Sequence, residues 1–343
     1  MTITSQFRER ITQAWPLATW WEDKLVVAVS GGADSTALLD ALIALRPDPA
    51  KTVVAHFNHG LRGEDSDDDQ IFVETMAKQF ALRCVCHVAT MDERQNESEN
   101  FLRNLRRNFL VQTATDLGVK WIVLAHHADD QVETFLHNLL RGTGPRGLAG
   151  MRPSKAISST LRMMRPMLHL SRQDILAYLD DRQLPYRIDA SNALCNYTRN
   201  RIRHELLPLL RSFSGCDSLD RRLLQACDLI AQQQTEIEHQ ARSWLERWRS
   251  DPLCVFKQKE RLEVPVQQLH ELGWPILQEV LTLVWHEFKW PLREMSLQHW
   301  KRLEQVILIS RNSPHPTKQQ LPGGIVVSYR QGVVRLVRDP KGT

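Results

Sequence analysis

The residues most suited to chemistry are Ser30-Gly31-Gly32-Ala33-Asp34-Ser35, which follow the apolar run Leu25–Val29 and lead directly into a helical pattern. Paired glycines let backbone amides come close to a phosphate. Amides at a helix start face an anion with the helix dipole behind them, and Ser30 and Ser35 add hydroxyl donors. The loop carries no lysine and matches neither GxxxxGKS nor GxxxxGKT, so it is not a Walker loop. A lysine-free cradle suits pyrophosphate held as a leaving group better than a γ-phosphoryl group in transfer.

Further groups could act beside it. His59 and Arg62, in His56–Arg62, stand just past a second apolar run, near the phosphate loop. The acidic run Glu64–Asp69 reads as a solvated face that starts a helix. Arg103 and Arg106 are three residues apart and share one helix face, with Leu102, Leu105 and Phe109 turned inward. Two guanidiniums on one face could neutralise a triphosphate. In Ala125–Thr134, helical spacing sets Val132, Phe135, Leu136, Leu139 and Leu140 on an apolar face, with Asp130, Glu133, Thr134 and His137 opposite. Asp129, Asp130 and Glu133 could hold Mg2+, orient an ammonium nucleophile or act as base. Zinc is not expected, because HExxH is absent and no cysteine lies nearby. Asn192 in Asp189–Asn192, and Arg199, Asn200 and Arg203 in Thr198–Arg203, precede an apolar helix. The arginines at 199, 201, 203, 211, 221 and 222 suggest a surface that faces a polyanion. Gly142–Gly147 matches GxGxxG but follows a helix and contains Pro145, so no nicotinamide or flavin is assigned.

The elements that must position these groups can be read from periodicity. Strand-like runs at Leu25–Val29, Thr52–Phe57, Leu82–Val88, Trp121–Ala125 and Leu161–Pro166 alternate with helical patterns. That alternation predicts an α/β fold with a doubly wound parallel sheet and ligands at the carboxyl ends of its strands. Each motif through Thr134 follows a strand end. A helical region runs from Ser171 to about Arg249. Six of the ten tryptophans lie from Trp244 onward, which implies a second aromatic core in a smaller α+β domain with helices at Trp274–Phe288 and Ser296–Ser310. The expected divisions are an N-terminal extension (1–23), a catalytic domain (24–212), a helical linker (213–249) and a C-terminal domain (250–343).

With 44 Lys plus Arg against 40 Asp plus Glu, the net charge of +4 does not by itself demand nucleic acid. The six cysteines form no CxxC pair, so neither a zinc ribbon nor an iron–sulfur cluster is expected. Cys84 and Cys86 read as packing cysteines pointing to opposite faces of a strand. The N-terminus lacks an apolar signal core and no apolar run is long enough to span a membrane, so a cytoplasmic protein is expected.

In order and spacing, SGGADS, HFNHGLR, the Arg103/Arg106 helix, AHHADDQVET, RGTGPRGL, RPMLHLSR and the DASN and TRNRIR pair closely resemble the tRNA(Ile)-lysidine synthetases, a branch of the N-type ATP pyrophosphatases. The resemblance covers about Leu25–Leu210, with LPGG at Leu321–Gly324 a weaker match. It implies that ATP adenylates the carbon-2 oxygen of the wobble cytidine in a CAU-anticodon isoleucine tRNA, after which free lysine displaces AMP from carbon 2. It implies that Ser30–Ser35 hold the ATP pyrophosphate, with His59 and Arg62 beside the nucleotide. Asp34, Arg103 and Asp130 would be catalytic, with Mg2+ at Asp34 and Asp130. Arg106, Asp129, Glu133, Asn192, Arg199, Asn200 and Arg203 would meet the substrates. A homodimer is left open, and the last domain of longer members is expected to be missing. The residues alone leave a tRNA thiolase as the alternative, against which the missing CxxC counts.

Overall fold

The computed structural model of the chain describes residues 2–61, 63–90, 99–187, 198–214, 216–257, 260–312 and 317–338. Arg62, Asp189 and Asn192 lie outside them. Two compact units divide between Ile230 and Ala231, within one long helix.

The first unit is built on a six-stranded sheet of β1 (Leu25–Ala28), β2 (Thr52–Asn58), β3 (Arg83–Val88), β4 (Trp121–Val123), β5 (Ser154–Ala156) and β6 (Arg162–Met164). Their order is β3-β2-β1-β4-β6-β5. The pairings from β3 to β6 are parallel, and β5 adds an antiparallel edge. The parallel strands match the sequence reading. The three-residue β5 is too short and polar to show a strand pattern.

Alternation along the strands sends side chains into two cores, as a sheet covered on both faces requires. Leu25, Val27, Val54 and Val123 face one core with α1 (Ile3–Ala14), α2 (Ala33–Leu45), α3 (Glu64–Gln79) and, further along the chain, the helix Arg172–Asp181. Val26, Ala28, Val53 and Ile122 face the other with α4 (Glu99–Asp116). The chain winds outward from β1 through β2 to β3, then crosses back to β4 on the other side of β1. The crevice between β1 and β4 is therefore the switch point where such sheets bind ligands.

α5 (Ala128–Leu140) follows β4, and α6 (Arg172–Asp181) starts on a capping box in which Ser171 and Asp174 satisfy each other's amides. A short helix at Thr198–Arg201, a π-helical turn at Ile202–Leu206 and α7 (Leu207–Ser214) precede α8 (Cys216–Ser250). Asp40 on α2, 3% exposed, accepts from Tyr178 Oη at 2.5 Å and from Arg182 at 3.1 and 3.2 Å, locking α2 to α6.

Three local expectations are corrected. Residues two apart on a strand share a face, so Cys84 and Cys86 point the same way, with sulfurs 3.6 Å apart. Leu139 and Leu140 at the end of α5 are exposed, while Glu133 is 2% exposed, because the helix face that packs runs through Val132, Phe135 and Leu136. Asp69 turns inward from the otherwise exposed acidic run to meet Arg187.

In the second unit, β7 (Val255–Lys257), β8 (Arg261–Pro265), β9 (Thr317–Leu321), β10 (Ile325–Arg330) and β11 (Val333–Arg338) form an antiparallel sheet in the order β7-β8-β11-β10-β9. Its core joins α9 (Trp274–Glu287) and α10 (Leu297–Asn312) around Trp248, Trp285, Trp290 and Trp300.

Candidate active site

The loop after β1 is held by its own hydroxyls. Ser35 Oγ accepts from the Ser30 amide at 3.1 Å and donates to the Gly32 carbonyl at 3.0 Å, while the two serine hydroxyls lie 3.2 Å apart. Gly31 has φ +88°, a conformation that L side chains avoid. The Arg187 amide donates to the Gly31 carbonyl at 2.9 Å, and the Arg187 guanidinium binds Asp69 of α3 at 2.9 Å. The loop is thus fixed before any ligand arrives.

Two cavities open beside it. The first, about 290 Å³, lies over the ends of β1 and β2, between Ser30, His56, Phe57, His59, Asp69 and Arg106. Asn58 shapes its rim by accepting from the Gly60 amide at 2.8 Å and donating to Asp67 at 3.1 Å. Burial, reinforced by Arg106, pushes His59 down to about 4, so its ring is neutral.

The second cavity, about 490 Å³, lies between the loop and the start of α5. Asp34, Asp129, Asp130 and Glu133 meet Arg172, Arg203 and Arg211 there. His127 stands at the centre, its Nε2 3.7 Å from Asp34 and 3.5 Å from Asp130, its Nδ1 3.3 Å from Asp129. Burial works against a charge on His127, but the surrounding carboxylates outweigh it and raise the pKa. Burial likewise opposes ionisation of Asp129. His127, the Arg172 amide at 2.9 Å and Arg211 nevertheless hold it down at about 2. Arg203 grips Glu133 with two parallel bonds of 2.5 and 3.0 Å, and Arg199 adds contacts to Glu133 at 3.4 Å and Thr134 at 2.9 Å. Arg172 is paired with Asp34.

Ser30, Gly32 and Arg106 line both cavities, so the loop stands where they join. Of the residues singled out by sequence, the structure gathers Ser30–Ser35, His59, Arg106, Asp129, Asp130, Glu133, Arg199 and Arg203 around that junction. Of Arg103 and Arg106 on α4, Arg106 lines both cavities and Arg103, one turn earlier, lines neither. Asn200 is on the short helix before the π turn, outside the described cavity walls. The sequence reading missed Arg187 and Tyr186. Asn58, His127 and Arg172 stood within patterns already noted but without a role, and Arg211 was read only as part of a surface facing a polyanion.

The donor set suits a hard cation. Asp34 and Asp130 each place an oxygen within 3.7 Å of His127 Nε2, so the two carboxylates flank one imidazole nitrogen in the second cavity. Among the described residues no cluster of three or more acidic, histidine or cysteine side chains forms a cage around a metal. A divalent ion held mainly by phosphates needs only one or two carboxylates.

The fold and loop define the class: a family model described as a PP-loop domain matches residues 3–210. The chain is 31% identical over 340 residues to a tRNA(Ile)-lysidine synthase of Rhodopirellula baltica, covering 88% of this chain and 84% of that protein. It is 45% identical over 214 residues to the one of Geobacter sulfurreducens, covering 61% of this chain but 44% of the relative's length. The chain belongs to the tRNA(Ile)-lysidine synthase family. Among solved structures, the U34-tRNA thiolase NcsA of Methanococcus maripaludis shares the fold with a TM-score of 0.56 at 12% identity, over 67% of this chain and 79% of that one. No helix among the described residues is long and apolar enough to cross a membrane.

Proposed function

We propose that the chain ligates free lysine to carbon 2 of the wobble cytidine in a CAU-anticodon isoleucine tRNA, converting ATP to AMP and pyrophosphate. One observation carries the reading: the loop after β1 stands at the junction of a nucleoside-sized chamber over the ends of β1 and β2 and a chamber crowded with carboxylates and guanidiniums.

Adenosine would lie in the first chamber, with its phosphates crossing the amides of Gly32 and Ala33 toward the second. The carbon-2 oxygen of cytidine attacks the α-phosphorus, and pyrophosphate departs into the loop. Ser30 and Ser35 hydroxyls and the helix-start amides hold that leaving charge. Arg106, between the chambers, is placed to meet charge at the α-phosphate, and Arg103 on the same helix face adds positive field at longer range. The ε-amine of lysine then attacks carbon 2 and AMP leaves. That amine must lose a proton, and Asp130, next to His127, is the carboxylate we assign to receive it. Glu133, fixed by Arg199 and Arg203, faces the same space and would orient the ammonium before attack.

Mg2+, held by Asp34 and Asp130, would neutralise phosphate charge. Arg199, Arg203 and Arg211, with Asn192 and Asn200 in the neighbouring stretch, would face the tRNA backbone, and the unit from Ala231 would extend that contact. We read residues 24–212 as the catalytic domain, 213–249 as a linker and the location as cytoplasmic.

The test supplies purified chain with ATP, Mg2+, labelled lysine and an unmodified tRNA(Ile) transcript. Label should enter the tRNA with AMP released in equal amount. AMP release without label in the tRNA, or no reaction, overturns the proposal.

A further inference from the structure

Among the described residues β3 is an outer strand, paired with β2 alone. Its Cys84 and Cys86 are free, half-buried thiols on one face, with sulfurs 3.6 Å apart, essentially in contact. Residues two apart on an extended strand are separated by about 6.6 Å at Cα. That falls near the upper end of the roughly 4.4–6.8 Å that a disulfide spans. A disulfide also needs Cβ atoms about 3.5–4.5 Å apart, closer than two steps of extended strand place them, so closure must kink β3 locally and the resulting bond would be strained and easily reduced.

The two thiols are not equivalent. A hydrogen bond from Cys86 lowers the Cys84 pKa. Cys86, as the donor in that bond and near Glu74, has its ionisation pushed up. One sulfur is suited to attack and its neighbour to resolve, the arrangement found in redox-sensing thiols. In register, Cys86 lies opposite His56, whose ring lines the first cavity and donates through Nδ1 to the Val29 carbonyl at 2.9 Å. The pair is thus one strand away from the cavity wall.

We propose that Cys84 and Cys86 form an oxidation site at which a hydroperoxide drives closure to a reversible disulfide within the strand. The Cys84 thiolate attacks the terminal peroxide oxygen, the O–O bond breaks, and the alkoxide takes a proton and leaves as alcohol. The resulting sulfenic acid is attacked by the Cys86 sulfur. Its hydroxyl leaves with the Cys86 proton as water, and the S–S bond forms. Two thiols are oxidised by two electrons, and the peroxide is reduced to alcohol and water.

The experiment treats the reduced full-length chain with a small excess of tert-butyl hydroperoxide, alkylates the remaining thiols, and maps peptides before and after reduction. The peptide holding Cys84 and Cys86 should lose two hydrogens, resist alkylation until reduced, and come from a monomeric chain. Cys86→Ser should stop at a sulfenic acid trapped by dimedone, and Cys84→Ser should react at least about tenfold more slowly, having lost the thiolate-prone sulfur. Full alkylation of both thiols after oxidation, a disulfide between chains, or an unchanged rate in Cys84→Ser would overturn the proposal.

Discussion

Gly32 offers a direct test of whether the loop is shaped for a ligand. Its φ and ψ, −73° and 164°, are open to any residue. A Cβ built there would find Ser30 Oγ at 3.5 Å and the Arg187 carbonyl at 4.0 Å, ordinary contacts. Folding alone therefore gives no reason for glycine. Gly32→Ala should gain about 0.4–1 kcal/mol through a less flexible unfolded chain. It should lose a similar amount, roughly 0.5–1 kcal/mol, because alanine is a poor helix cap. The net change in stability is near zero. If phosphates lie against this amide, the methyl intrudes and one charge-assisted hydrogen bond of about 1.5–3 kcal/mol is lost. Nucleotide affinity should then fall about tenfold to a hundredfold. Calorimetric titration with a non-hydrolysable ATP analogue, paired with thermal unfolding, reads both quantities. Gly31→Ala is the control for strain. At φ +88°, with a Cβ 3.3 Å from the Phe72 ring and 3.4 Å from Val73, it should lower stability by about 1–3 kcal/mol. Wild-type affinity in a stable Gly32→Ala protein would refute phosphate binding at this loop.

Other outcomes follow from the same geometry. Asp130→Asn should cut lysine transfer at least about a hundredfold while Tm holds, measured as label entering tRNA. Arg203→Lys keeps the charge but loses the two-pronged grip on Glu133, so lysine-dependent turnover should drop about tenfold to a hundredfold. Asp40→Asn, far from the chemistry, should lower stability by about 3 kcal/mol, because a buried carboxylate that binds Arg182 and Tyr178 is neutralised. Denaturant unfolding checks this last value.

The phosphate loop and the parallel strands were legible because their signals are local: apolar runs, paired glycines, an alternation of strand and helix. The carboxylates at 129, 130 and 133 were legible for the same reason. What escaped was long-range. Arg187 meets Asp69 across 118 residues of chain. Nothing in a run of acidic residues marks the one that turns inward. The choice between Arg103 and Arg106 depends on how α4 is rotated against the sheet, which helical spacing leaves open. The π turn at Ile202–Leu206 shifts the arginines around it in a way that a regular 3.6-residue count does not anticipate. The cysteine pair was misread through parity, since two steps along a strand return to the starting side.

The four carboxylates of the second cavity all have partners already. Arg172 holds Asp34, Arg203 approaches Asp130 at 3.7 Å and grips Glu133, and Arg211 lies 3.8 Å from Asp129. Under the proposed function such a set would be recruited by exchange, with Asp34 released to the cation if Arg172 turns to phosphate oxygens. Each departure offsets the other, so nucleotide and divalent ion should tighten one another's hold by the same factor, whichever is added first.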